Sequence, residues 1–416
     1  MTGTKFSGIA SIGDIPAHWK TYRIKSLLSL RSEKNSGDRD LLSVYLDRGV
    51  ISYNDSDGMQ VHKPSADLSN YQNVHTGDFV LNNQQAWRGS VGVSKYDGII
   101  SPAYFVFSLS DKCDPDYMNF LLRDGSMVQQ YETASRGVGT IQRNLYALWF
   151  YESLVALPPL AEQRRIADFL DTKCSEIDSL TADIQAQIDT LEQYKRSIIT
   201  ETVTRGLNPD AEMKDSGVFY MAPMNASWRL TKIGYICTKL SRSFVSDDTA
   251  LICSNKGKVQ VRSDDLTGIM VSDDNAMQGI HAGDIAIHGM DTWHGAIALS
   301  EFDGKITRVV HVCDSTEDKR FIVYYMQHLA FQGVYKLISN GVRGNTSDFR
   351  SWDKVRDIWI AIPKTRQEQK AICDYLDRKC NDIEEIISTK KQQLAVLEEY
   401  KKSLIFEYVT GKKEVI

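Results

Sequence analysis

The chain has 416 residues, 42% hydrophobic and 25% charged. That is more than one hydrophobic core usually holds, so two or more domains are predicted. A formal charge of −5 argues mildly against a chain that lives on phosphate contacts alone, although a basic face can be local or a partner can supply it.

In chain order, residues 1–157 read as a first globular segment of mixed α/β type. Short runs such as "GDFVL", "SVGVS" and "YFVFSL" are bounded by Gly, Asp and Asn as strands are, and Tyr117–Thr133 suits short helices. Residues 158–206 predict a long helix opened by Pro158-Pro159 and stopped at Gly206. Its apolar residues Ile177, Leu180, Ile184, Ile188, Leu191, Tyr194 and Ile198 recur about every 3.5 residues, the period of a coiled-coil seam. From Glu162 to Val203 such a helix spans roughly 60 Å. Residues 207–362 form a second globular segment with strand-like "DIAIHG" and "RVVHVC", and a helical stretch at Lys319–Ser339. Residues 363–416 predict a second long helix with seam Ile383, Ile387, Leu394, Leu397, Tyr400 and Leu404, interrupted by Lys390. Thr365-x-x-Glu368 resembles a capping box at its start, and Gly411 is a stop.

The second half restates the first. "LEQYKRSII" at 191–199 returns 206 residues later as "LEEYKKSLI". "LPPLAEQRRIADFLDTKCSEID" answers "IPKTRQEQKAICDYLDRKCNDIE". His75, Gly77, Asp78, Trp87, Gly89, Asp97 and Gly98 recur as His281, Gly283, Asp284, Trp293, Gly295, Asp303 and Gly304, and Trp19 as Trp228. The expected architecture is two mixed α/β domains in pseudo-two-fold arrangement, separated by two long antiparallel coiled-coil helices.

No enzyme signature stands out. The Gly-Lys pairs at 257, 304 and 411 lack the rest of a phosphate-binding loop, and "LPPL" lacks the polar and aromatic ends of an adenine-methyltransferase loop. "PDAEMK" at 209–214 has the residue types of a nuclease site crowded into one linker, whereas a metal nuclease draws its carboxylates from separate strands. His281, His288 and His294 lack a suitably spaced fourth ligand, so no metal site is expected. Cys174 and Cys380 read as buried small residues of the helix pair. Tyr194 and Tyr400 read as packing residues with their hydroxyls at the edge. Seven cysteines without a CxxC pair, no membrane-length apolar run and no secretory apolar segment in residues 1–11 predict a cytoplasmic chain with no membrane contact.

Several motifs together resemble the specificity subunit of type I restriction-modification systems. They are "IPAHW", "GSVGVSKYDGIISPAYFVF", "LPPLAEQRRIADFLD" and the connection "LEQYKRSII…VTRGLNPDAEMKDSG", in the family's order over essentially the whole chain. The second copy departs at "IPKTRQEQ" and "YMAPMNASW". The resemblance implies two target recognition domains, each reading one half of a bipartite target in double-stranded DNA. It implies helices that set the spacer and dock two modification (adenine methyltransferase) subunits, with restriction/translocase subunits joining. S-adenosylmethionine, ATP and Mg would belong to those partners, leaving this chain a non-catalytic address reader with no cofactor.

Within that reading, the DNA-contacting residues are sought in polar and basic loops. "LNNQQAWRGS" supplies Asn82, Asn83, Gln84, Gln85 and Arg88, and "ASRGVGTIQRNLY" supplies Arg136, Gln142 and Arg143. In the second copy, "HGMDTWHGA" supplies His288, Asp291 and His294, and "SNGVRGNTSDFR" supplies Arg343, Asn345 and Arg350. Asn and Gln suit the adenine edge and Arg suits guanine. The shared Gly, Asp and Trp read as fold residues, and the changed polar tips as what readers of two different half-sites need. An alternative remains open, a non-catalytic coiled-coil scaffold whose two domains bind proteins.

Overall fold

The computed structural model describes residues 3–35, 37–56, 64–65, 67–138, 142–262, 274–339 and 348–415. The chain falls into two compact units, Met1–Ile184 with Gln392–Ile416, and Gln185–Lys391. Each unit therefore holds one globular segment, the proximal part of the long helix that follows it, and the distal part of the other long helix. The long helices are Leu160–Arg205 and Arg366–Val409.

In the first unit, a four-stranded antiparallel sheet runs in the order Leu28–Arg31, Tyr104–Leu109, Phe79–Asn82, Val91–Val93. Helices Pro115–Arg123 and Gly125–Thr133 cover it, and the side chain of Asp124 receives the Ser126 amide at 2.9 Å to start the second. In the second unit, Cys237–Lys239, Val310–Ser315, Ile285–His288 and Ile297–Leu299 repeat that order. The copies differ in their outer strands. The second unit joins Val259–Val261, Ala250–Cys253, Gly304–Thr307 and Met277–Ile280 into one sheet, with a parallel pair at its centre. The corresponding strands of the first unit form separate two-stranded pairs.

The root of each long helix explains the repeated Glu-Gln. The Trp19 indole donates to Glu162 at 3.0 Å, and the Trp228 indole to Glu368 at 2.8 Å. Gln163 and Gln369 are both buried. Each accepts a backbone amide, from Asp114 and Asp318 respectively, at 2.9 Å. Each also donates to the carbonyl of a proline, Pro158 or Pro363. The motif is thus a joint between globular segment and helix, made of buried polar groups that satisfy one another. Half of the expected capping box forms, with the Glu368 amide 3.2 Å from Thr365 Oγ1. The Glu368 carboxylate takes the Trp228 indole.

Within each unit the two helix portions run antiparallel. In the first, the rings of Phe169 and Tyr408 are 4.5 Å apart and Lys401 Nζ lies 2.6 Å from Asp178. In the second, Lys390 bonds Gln187 at 2.5 Å and Lys195 bonds Glu384 at 2.5 Å. As one residue number rises the partner number falls, which only antiparallel helices produce.

The seam differs from the expected set at three positions. Leu180, Tyr194 and Tyr400 are 47%, 55% and 54% exposed, while Thr181, Lys195 and Lys401 are half-buried in their places. Lys390 also lies half-buried on the seam rather than interrupting it. Ile177, Ile184, Ile188, Ile198, Ile383, Ile387 and Leu404 are buried, with Leu191, Leu394 and Leu397 half-buried. The cause is geometric. A seam alternates steps of four and three, and choosing the most apolar neighbour at each turn drifts by one residue when a polar residue holds the true position. Cys174 and Cys380 are buried in their helices.

Candidate nucleic-acid interface

In the first unit the strand Phe79–Asn82 runs into a single tight turn, Ala86–Arg88, closed by Gly89 at φ 96°. A side chain at that φ is strained, so the repeated Trp-x-Gly glycine is a fold requirement. Asn82 and Asn83 shape the loop: their side-chain oxygens accept the amides of Gln84 and Leu145, each at 3.0 Å. The Leu145 bond ties the loop to the hairpin Ser135–Val138 and Gln142–Leu145.

Loop and hairpin together present a basic and aromatic surface. The Arg143 guanidinium lies 4.8 Å from the centre of the Trp87 ring and is paired with Glu132 at 2.9 Å. Arg88 approaches the same ring at 5.8 Å. Arg136 stacks on Trp149 at 4.1 Å. Gln84, Arg88 and Arg136 are exposed, and Gln85 is half-buried. The structure thus gathers Gln84, Gln85, Arg88, Arg136 and Arg143 from two segments about fifty residues apart in the chain, with Asn82 and Asn83 as their supports. The side chain of Gln142 lies outside the described residues.

The second unit keeps the frame and changes the tips. The strand Ile285–His288 enters the turn Thr292–His294, closed by Gly295 at φ 80°. His288 Nδ1 lies 3.1 Å from the Asp291 amide and 3.2 Å from its carboxylate. Burial pulls the His288 pKa below its ordinary value, with Asp291 opposing. His294 and Arg350 are exposed, and Asp291 is half-buried. Arg350 reaches this loop because the Phe349 amide bonds the Gly289 carbonyl at 3.1 Å. A Cβ on Gly289 would lie 2.8 Å from the Phe349 carbonyl and 2.9 Å from the Arg350 Cα, so only glycine allows that approach. Arg343 and Asn345 lie outside the described residues.

The shared residues divide by role. Asp78 and Asp284 are buried and each holds an arginine, Arg31 at 2.9 Å and Arg242 at 2.6 Å. They are structural. Trp87 and Trp293 are only half-buried and carry cations on their faces, Lys336 lying 5.8 Å from the Trp293 ring. Trp149 and Lys336 were not singled out in the sequence. The run "YALWFY" reads as apolar throughout, and nothing local separates buried Phe150 from Trp149 at 42% exposure.

Among the described residues no group of three or more His, Cys, Asp or Glu could hold a metal ion. In "PDAEMK", Lys214 binds the backbone carbonyl of Ala226 at 3.0 Å. Met213 and Lys214 pair with Met224 and Asn225 as a short strand. His281 sits 3.2 Å from Asp303 in an exposed pair. Among the described residues, no helix is long and apolar enough to cross a membrane.

Residues 16–190 match the family model of the type I restriction modification DNA specificity domain. The chain is 22% identical over 440 residues to the type I restriction enzyme MjaX specificity subunit assigned in Methanocaldococcus jannaschii, covering 97% of this chain and 96% of that one. Among solved structures, it resembles a chain from work on complex assembly and conformational transition of the type I R-M system. That likeness has a TM-score of 0.69 at 16% identity and covers 96% of this chain and 99% of the other. The HsdS subunit from Thermoanaerobacter tengcongensis aligns over 96% and 98% at 16% identity, with a TM-score of 0.49.

Proposed function

We propose that the chain is a specificity subunit of the type I restriction-modification family, whose DNA specificity domain model matches residues 16–190, and that each of its two units reads one half of a bipartite double-stranded DNA target. One observation carries the reading. The two units repeat a strand, tight turn and glycine while exchanging the tips, Asn82–Arg88 in one and His288–His294 in the other. A common scaffold with changed polar ends suits two readers of unlike sequences.

The remaining roles follow the family and rest on that premise. The long helices set the spacer and dock two adenine-methyltransferase modification subunits, and restriction/translocase subunits join that assembly. S-adenosylmethionine, ATP and Mg act on those partners, and this chain works in the cytoplasm as a non-catalytic address reader. The net charge of −5 fits a chain whose partners supply part of the phosphate-neutralising surface.

Exchanging residues 1–157 for those of a relative with a different target tests the reading. Mapping methylated adenines in cells carrying the hybrid and its modification subunit should show one half-site changed and the other kept. Changes in both halves would contradict two independent readers, and a complex with no preference among DNA sequences would favour the protein-binding scaffold.

A further inference from the structure

The turn Ala147–Tyr151 of the first unit leaves apolar surface in water. Leu148 is 80% exposed, Tyr146 51% and Trp149 42%, with the Tyr146 and Trp149 rings 5.7 Å apart. Phe150, on the opposite side of the same turn, is fully buried and anchors it. An apolar step of this kind beside charged residues marks a surface that meets something.

The second unit shows that the fold does not require it. The equivalent turn, Trp352–Arg356, precedes the strand Trp359–Ile362 as Ala147–Tyr151 precedes Leu154–Leu157. Its outward residues are Asp353, Lys354 and Arg356, all exposed. A patch present in one copy and replaced by charge in the other belongs to what the copies do differently.

Its surroundings select the occupant. Arg136 lies flat on Trp149 at 4.1 Å and has no carboxylate partner among the described residues. Arg143 and Arg88 share the neighbouring Trp87 face. The nearby acids are already engaged, Glu132 with Arg143 and Glu152 with Arg23 and Lys25. Apolar surface rimmed by arginine suits a DNA groove, where an aliphatic side chain covers a thymine methyl and a guanidinium takes guanine O6 and N7. Stacking also holds the guanidinium in one plane before binding, which lowers the ordering cost of a two-bond contact.

We propose that Leu148 and Arg136 are base-reading residues of the first unit, that Trp149 is the residue positioning Arg136, and that their half-site contains a thymine next to a guanine. This rests on the specificity-subunit reading and adds specific residues and bases to it.

The test uses the full chain purified with its modification subunit and a library of fluorescent duplexes carrying a randomised segment. Bound duplexes are selected and sequenced for the wild type, L148E, R136A and W149F. The wild type should select a two-part motif. L148E should lose the thymine preference and R136A the neighbouring guanine, each weakening binding about ten- to hundredfold and leaving the other half-site unchanged. W149F keeps a ring under Arg136 and should keep the motif. Thermal midpoints should not move, because Leu148 and Arg136 lie on the surface. Wild-type motif and affinity in both L148E and R136A overturn the proposal. So does uniform weakening with an unchanged motif, which would place Arg136 on phosphate. Loss of the modification subunit on purification, with DNA preference intact, would make the patch a protein contact and also overturn it. A wild type that selects no motif would instead remove the underlying specificity reading.

Discussion

Lys195 Nζ lies 2.5 Å from the Glu384 carboxylate across the helix pair of the second unit, at a seam position where an apolar residue would ordinarily sit. The repeat places Lys401 and Asp178 in the equivalent relationship in the first unit, at 2.6 Å. A lysine on a seam is tolerated where its ammonium finds a carboxylate, and that match exists in one register only. Burial works against ionisation of Glu384, but its bonds to Lys195 and Lys258 outweigh it and hold its pKa below the ordinary value. The pair acts as a register clamp in each unit, bought at the cost of some apolar packing.

Substituting Lys195 or Glu384 by alanine should therefore lower the stability of the chain by about 1 kcal/mol each. The double variant should cost less than the two singles together, with a coupling of about 0.5–1 kcal/mol in denaturant unfolding. Strict additivity would show that the pair contributes no mutual stabilisation.

Gly411 ends the second long helix at φ 70°, and a Cβ there would lie 2.5 Å from Pro16 Cδ and 3.1 Å from the Trp19 ring. Gly411→Ala combines backbone strain with a clash against a ring that has nowhere to move. A loss of about 2–3 kcal/mol is expected, seen as a lower thermal midpoint. Gly13→Ala is the comparison, at φ 62° with open space around its Cβ, and it should cost only the strain of about 1 kcal/mol.

His328 is buried in the helix Lys319–Phe331, 3.0 Å from the Thr200 hydroxyl, and burial pushes its pKa down to about 4. Its folded pKa lies below the unfolded value near 6.5, so the unfolded chain takes the proton first. This contribution to stability is complete above pH 6.5 and is lost as pH falls towards about 4. His328→Asn should flatten the stability profile across that window in unfolding measured at fixed temperature. An unchanged slope would assign the acid sensitivity to other groups.

Because the seam follows a heptad, insertions of seven residues into both long helices preserve it while four-residue insertions disturb it. Seven residues add about 10 Å of helix, close to three base-pair steps. Mapped methylation sites should then show a spacer about three base pairs longer, and an unaltered spacer would end the ruler role of the helices.

Much of the architecture is written locally. Periods of two and of about 3.5 residues, glycines at turns and the 206-residue echo are properties of neighbouring residues, and they already define two mixed α/β segments with two long helices. What needed the tertiary structure concerns residues that meet only after folding. Glu162 and Glu368 pass for helix-start residues until Trp19 and Trp228 arrive from more than a hundred residues away. Lys195 and Lys401 look like surface charges until a carboxylate of the other helix faces them. Leu148, Trp149 and Phe150 are equally apolar in the sequence, yet one is buried and two face solvent. Hydrophobicity states what a residue can bury, and the long-range packing of the chain decides which of those residues stay in solvent.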